Sequence, residues 1–255
     1  MAHVRIDHVP GSSRVSLPLN IVVPDPAKMD GVPVSRRKLL YMLLGVSDDK
    51  TTWKRFSVMD AIASAYGLVV VMPSVGRSFY IDMLSGQQYM AYLAEELPHY
   101  LVDVFGLAPS REDTFIAGNS LGGYAALKTA FLKPQRFSAA ASFSGVLSLD
   151  IAGITPDILR QAEFTLLDGV IGKITGSGHD PLTWLKQADP AALPRLYNYT
   201  GRQEDIHPLS ACFQSACETS GVACEYIEED GSNDSALWEK QVRHFLAAIL
   251  GPIPK

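Results

Sequence analysis

Gly118-Asn119-Ser120-Leu121-Gly122 holds a serine between two glycines at the spacing that an acyl-transfer nucleophile requires. The apolar Phe115-Ile116-Ala117 leads into it, and Gly123-Tyr124-Ala125-Ala126-Leu127-Lys128-Thr129-Ala130 continues with helix formers. A strand that turns sharply into a helix leaves such a serine strained at the apex, its Oγ exposed. The next backbone N–H, that of Leu121, then faces an incipient oxyanion. The glycines are required because a side chain at either position would meet the neighbouring strand or helix. The chemistry is nucleophilic acyl transfer. It needs a base to take the serine proton and an acid to orient that base.

The acid is expected after a late strand. Gly201-Arg202-Gln203-Glu204-Asp205 follows the strand-like stretch 195–200, and Asp205 is the favoured carboxylate, with Glu204 its neighbour. The competing reading of both is a solvated acidic loop. The base is expected between the strand-like stretch 223–227 and the last helix. That loop reads Glu228-Glu229-Asp230-Gly231-Ser232-Asn233-Asp234-Ser235 and contains no histidine. Asparagine cannot accept and return a proton near neutral pH, so the ordinary relay cannot be assembled there. His3 and His8 fall in the first hairpin, His99 follows Pro98 in a helical segment, and His244 lies beside the apolar stripe of the last helix. His207, two residues past Asp205, is the alternative base, and His179, in a glycine-rich segment, is the second choice.

The elements that must position these residues alternate. Residues 4–23 alternate apolar and polar positions, which predicts an antiparallel hairpin. The apolar runs 38–44 and 68–73 predict strands buried on both faces. Helices are expected over 54–66, over 89–105 with a local break at Pro98 that kinks it or separates two helices, from Gly123 to Leu132, for about ten residues from Pro208, and over 236–250. A strand of small residues is expected over 137–144, and residues 146–190 read as irregular, a cap-like insertion. No repeat or linker divides the chain, so residues 1–255 are expected to form one doubly wound α/β domain with its functional loops at the carboxyl ends of the strands.

Composition narrows the class. A chain of 255 residues with 47% hydrophobic and 19% charged residues can bury one large core. A net charge of −5 without like-charge runs gives no reason to expect nucleic acid or an anionic membrane as partner. The first eight residues carry charge and no apolar core, and no stretch reaches transmembrane length. The three cysteines, Cys212, Cys217 and Cys224, lack the spacing of a metal site and are expected as reduced thiols in a cytoplasmic protein.

Several longer stretches resemble one family. They are Tyr66-Gly67-Leu68-Val69-Val70-Val71-Met72-Pro73, Gly76-Arg77-Ser78-Phe79-Tyr80, Ala94-Glu95-Glu96-Leu97-Pro98, the run from Arg111 to Tyr124, and Trp238-Glu239-Lys240-Gln241. The chain is similar through most of its length to the tributyrin esterases. These sit within the esterase D-type group that includes S-formylglutathione hydrolases, feruloyl esterases and mycolyltransferases. The resemblance implies an α/β-hydrolase fold: a mostly parallel twisted sheet with an antiparallel N-terminal hairpin and helices on both faces. It implies hydrolysis of short-chain acyl esters, with Ser120 as nucleophile and Asp205 as acid. Oxyanion donors would be the backbone of Leu121 and, after Gly45, of Val46, and Tyr80 would lie near the substrate. The chemistry needs no cofactor and no metal. Related esterases often form oligomers, so a homo-oligomer is compatible with the resemblance.

The sequence departs from the family where the chemistry lies. The family's Leu-His-Gly is here Leu43-Leu44-Gly45, a further glycine is Asp48, and the family's Gly-x-His-x-Trp aligns with Gly231-Ser232-Asn233-Asp234-Ser235. Asn233 therefore stands at the family's catalytic histidine. These departures together read as natural divergence. The expected function is a carboxylesterase-type serine hydrolase with a degenerate or relocated base. The alternatives are a silent hydrolase-fold protein that binds a small ligand or protein partner, and an enzyme using Asp205, Glu204 or Asp234 as its acid–base group.

Overall fold

The computed structural model describes residues 1–29, 31–45, 52–76, 78–84, 86–148, 176–232 and 234–253. Eight strands form one sheet: β1 Ala2–His8, β2 Leu17–Val23, β3 Leu39–Leu43, β4 Val69–Pro73, β5 Thr114–Asn119, β6 Ala139–Phe143, β7 Arg195–Gly201 and β8 Cys224–Glu229. Their order is β1-β2-β4-β3-β5-β6-β7-β8. β1 and β2 pair antiparallel, with Ile6 opposite Leu19, and β2 runs antiparallel to β4. Every pairing from β4 across to β8 is parallel. The expected hairpin and parallel sheet are both present.

Alternation sorts the strand side chains into two cores. Leu39, Tyr41 and Leu43 join one cluster, and Leu40 and Met42 join the other, so β3 is buried throughout. Burying each such side chain is worth roughly 1.5–3 kcal/mol, which is why a continuous apolar run is stable here and nowhere nearer the surface. Helices cover both faces. Those introduced here are α1 Thr52–Tyr66, then α2, which joins the α turn Tyr89–Ala91, the π turn Tyr92–Glu96 and the α segment Leu97–Phe105. They continue with α3 Leu121–Leu132, α4 Pro181–Gln187, α5 His207–Ser220 and α6 Ser235–Leu250. Met59 and Ile62 of α1 and Trp238, Val242 and Phe245 of α6 pack on one face; Leu101, Leu127, Trp184 and Phe213 of α2 to α5 pack on the other.

Four local expectations are corrected. The 89–105 helix does not separate into two at Pro98; its disturbance is local. Proline lacks the N–H that would reach the Ala94 carbonyl. The chain widens into a π turn just before it, with Leu97 N–H reaching Tyr92 O, and the Arg136 guanidinium donates to the Ala94 carbonyl instead. The region read as irregular contains α4, started by Asp180, whose carboxylate accepts from Leu182 N–H at 3.0 Å, with Pro181 next. That Asp-Pro pair is a legible helix start. α5 is 14 residues long, not ten. β8 extends through Glu228 and Glu229, which pair with Thr200 and Gly201, so the loop expected to hold the base shortens from its N-terminal side. Residues 149–175 of the expected cap-like insertion lie outside the described residues.

Candidate active site

The Ser120 turn is built from backbone contacts. Ser120 has φ 52° and ψ −121°, a left-handed conformation that a non-glycine residue rarely adopts. It is held there because its N–H donates to Phe143 O at 2.9 Å and its carbonyl accepts from Gly123 N–H at 3.0 Å. A Cβ on Gly118 would collide with the Gly122 carbonyl, and one on Gly122 with the Leu43 carbonyl. β3, β5 and α3 can approach this closely only with hydrogens at both positions. Ser120 is half-buried, and Leu121 opens α3. The Leu121 N–H belongs to a helix's first turn, where amides have no partner within the helix.

The loop after β3 lies against the serine. A Cβ built on Gly45 would stand 3.2 Å from Ser120 Cβ and 3.7 Å from its Oγ. The Gly45 N–H donates to Asn119 Oδ1 at 3.1 Å. The Leu44 N–H donates to the Tyr80 hydroxyl at 3.2 Å, and that hydroxyl lies 3.2 Å from Leu44 O and 3.5 Å from Pro73 O. Both amides before residue 46 are therefore occupied, and the next along the chain is Val46, which lies outside the described residues. Tyr80, expected near the substrate, is placed as a buried brace between the ends of β3 and β4. It follows Phe79, and the two have φ of 53° and 57°.

The carboxylates after β7 point opposite ways. Asp205 is exposed, whereas Glu204 is 7% exposed. Glu204 Oε1 accepts from Ser144 Oγ at 2.5 Å and Oε2 from Thr200 Oγ1 at 3.3 Å. Burial pushes the Glu204 carboxyl above the usual carboxylate range; the hydroxyls of Ser144 and Thr200, the Gly201 backbone and the charge of His207 oppose that shift in part. Gly201 makes room for it, since a Cβ there would lie 3.0 Å from Glu204 Oε1 and would strike the Gly231 carbonyl.

The imidazoles are placed elsewhere. His207 Nε2 lies 2.7 Å from Glu228 Oε1, on which the Tyr226 hydroxyl also converges at 2.7 Å. Tyr226 and His207 hold the Glu228 carboxyl below its ordinary value. Asn233 lies outside the described residues. Asp234 caps α6, accepting from Ala236 N–H and Leu237 N–H at 2.9 Å each. His244 Nδ1 sits 3.0 Å from the Tyr199 hydroxyl, and His3 pairs with Asp60 at 2.9 Å. His179 Nδ1 lies 2.9 Å from Lys128 Nζ, whose helix position is two turns beyond Ser120, about 12 Å along the axis. Burial is the main cause that lowers His179 to about 4, with the Lys128 charge adding to it. Lys128 itself is 4% exposed, and burial lowers it to about 8, against a pull upward from Asp82. The Tyr124 hydroxyl, 3.5 Å from Lys128 Nζ, donates to His179 O at 2.7 Å.

Ser144 is the site residue that sequence reasoning missed. It follows β6 with φ 50° and is buried. Its signal was weak: a serine before glycine at the end of a strand of small residues, Ser144-Gly145. Among the described residues no group of three or more histidines, cysteines, aspartates or glutamates could hold a metal ion, and the three cysteines are free thiols. No described helix is long and apolar enough to cross a membrane.

Comparison with known proteins agrees with this architecture. Residues 16–241 match the Esterase family, and the chain belongs to it. An acetyl esterase of Caldicellulosiruptor saccharolyticus is 27% identical over 228 residues, covering 86% of this chain and 85% of its own. Among solved structures, FphF of Staphylococcus aureus, a fluorophosphonate-binding serine hydrolase, superposes with a TM-score of 0.82 at 25% identity over 98% of each chain. The S-formylglutathione hydrolase FrmB of the same organism gives 0.81 at 25% identity over 98% of each chain. The chain has the α/β-hydrolase fold and is an enzyme of the carboxylesterase type, a serine hydrolase. The family resemblance inferred from sequence stands.

Proposed function

We propose that the protein hydrolyses short-chain acyl esters of small molecules with Ser120 as the attacking group. The observation that carries this is the left-handed Ser120 at the strand–helix turn, half-buried, with Gly45 packed beside its side chain. Strain of this kind persists where surrounding structure enforces it and is concentrated at functional sites. Leu121 N–H and Val46 N–H are assigned as oxyanion donors, the second because the Leu44 and Gly45 amides are already engaged. Tyr80 acts on the substrate through the loop it braces. Among the described residues neither Asp205, which faces solvent, nor His207, whose Nε2 lies on Glu228, hydrogen-bonds the Ser120 side chain, so neither is assigned as the group that activates Ser120. The acetyl esterase among the relatives supports a small acyl group.

Residues 1–255 are read as one domain with a cap-like insertion around 146–190, supported by one sheet that runs from β1 to β8. Three free thiols support a reducing, cytoplasmic setting. A small ester is the expected partner rather than nucleic acid, in keeping with a net charge of −5; sedimentation measures self-association. The test is hydrolysis of p-nitrophenyl acetate, butyrate and octanoate by the wild type and by Ser120→Ala. The shorter esters are expected to turn over faster, and the variant to lose about a thousandfold or more in kcat. Undiminished hydrolysis by Ser120→Ala would remove Ser120 from the chemistry.

A further inference from the structure

We propose that Ser144 and Glu204 carry the proton of Ser120, a hydroxyl and a carboxylate taking the place of an imidazole. The proposal rests on Ser120 as the nucleophile. Asn119 pairs with Phe143, and Phe143 with Tyr199, so Ser120, Ser144 and Thr200 occupy one row across β5, β6 and β7. Neighbouring strands stand about 4.8 Å apart. The ladder continues into that row, with Ser120 N–H on Phe143 O at 2.9 Å and Ser144 N–H on Tyr199 O at 2.8 Å. Ser120 and Ser144 also share a positive φ, of 52° and 50°.

The hydrogen bonds along the row have a direction. Ser144 Oγ gives its proton to Glu204 Oε1 at 2.5 Å, and Thr200 Oγ1 donates to Oε2 at 3.3 Å. A hydroxyl that has donated once still accepts, so Ser144 Oγ keeps acceptor capacity one strand over from Ser120. Among the described residues the imidazoles of His207, His179 and His244 are engaged with Glu228, Lys128 and Tyr199.

The step balances within the chain and its ester. Ser120 Oγ forms a bond to the acyl carbon as its proton passes to Ser144 Oγ and the Ser144 proton passes to Glu204. The carbonyl π electrons move to the oxygen. On collapse the C–O bond to the alcohol breaks, and the proton returns along the same path to the leaving oxygen. Water repeats the sequence to release the acid. Besides burial, four neighbours act on Glu204: the hydroxyls of Ser144 after β6 and Thr200 on β7, the Gly201 backbone, and His207 of α5, the one titratable side chain among them. Because burial favours the neutral acid, the carboxylate forms above the usual range, and activity rises with pH through that point.

The experiment measures p-nitrophenyl acetate hydrolysis against pH for the wild type, Ser120→Ala, Ser144→Ala, Glu204→Gln and His207→Gln, with circular dichroism and melting of each to establish folding. Glu204→Gln is expected to fold and to lose about a hundredfold or more in kcat, together with the ascending limb of the pH profile. Ser144→Ala is expected to do the same. His207→Gln is expected to keep the limb but move it to higher pH, since a positive neighbour of Glu204 is gone. The path is overturned if Ser120→Ala is inactive while folded Glu204→Gln keeps its kcat within about threefold and its pH limb. It is overturned equally if the limb disappears in His207→Gln instead. Activity indifferent to Ser120 would reject the nucleophile assignment itself, a different outcome from either.

Discussion

Lys128 allows a quantitative test of how the helix after Ser120 is anchored. The residue is 4% exposed, its amine has an imidazole nitrogen at 2.9 Å and a phenol at 3.5 Å as neighbours, and no described carboxylate forms an ion pair with it. A fall from the ordinary 10.5 to about 8 is caused first by burial. At about 1.4 kcal/mol per pH unit, this makes the charged form cost the fold about 3 kcal/mol. Between pH 8 and 10.5 the unfolded chain binds the extra proton, so stability rises with pH across that window and the cost is fully present below it. The perturbation is Lys128→Met, and the measurement is urea unfolding at pH 7 and pH 10.5 for both proteins. Only the double difference is informative, because the substitution also leaves His179 Nδ1 without its partner, and the other titrating groups cancel. The wild type should gain about 3 kcal/mol over the variant between the two pH values. In a chain of this size that corresponds to roughly 6–12 °C in melting temperature. A double difference near zero would refute the reasoning, and would mean that the folded amine titrates as it does in the unfolded chain, because it reaches solvent or a counter-charge.

Two further outcomes are expected. Tyr80→Phe removes the hydroxyl that meets Leu44 N–H and Leu44 O and should lower kcat toward p-nitrophenyl acetate by about tenfold, with about 1 kcal/mol change in stability; an unchanged kcat would separate Tyr80 from the oxyanion loop. Asp234→Ala removes the cap of α6 and should cost about 1 kcal/mol in urea unfolding, which a midpoint equal to the wild type would contradict.

The parts legible in the sequence were those set by local chemistry. β3 and β4 were readable because strands covered on both faces need unbroken apolar runs, and β1–β2 because one face alternates. The Ser120 turn was readable because Gly118 and Gly122 are demanded by two carbonyls within contact. What was not legible depends on partners distant in the chain. Pro98 predicts a break only if nothing replaces its N–H, and the replacement, Arg136, lies beyond the next strand and helix. Glu204 and Asp205 are equivalent carboxylates in sequence. The turn from Gly201, with Glu204 N–H reaching Gly201 O at 3.2 Å, decides which faces inward, and Ser144 contributes its hydroxyl from sixty residues earlier.

The Ser120 turn is fastened by main-chain atoms: its N–H on Phe143 O, its carbonyl under Gly123 N–H, and the glycine contacts on either side. None of these uses the hydroxyl. With Ser120 as the proposed nucleophile, Ser120→Ala therefore leaves the scaffold standing without the attacking group, which makes it bait. Incubated with a metabolite extract and recovered, such a protein retains its own substrate intact, and mass spectrometry of what elutes on unfolding reads the acyl chain and the alcohol together.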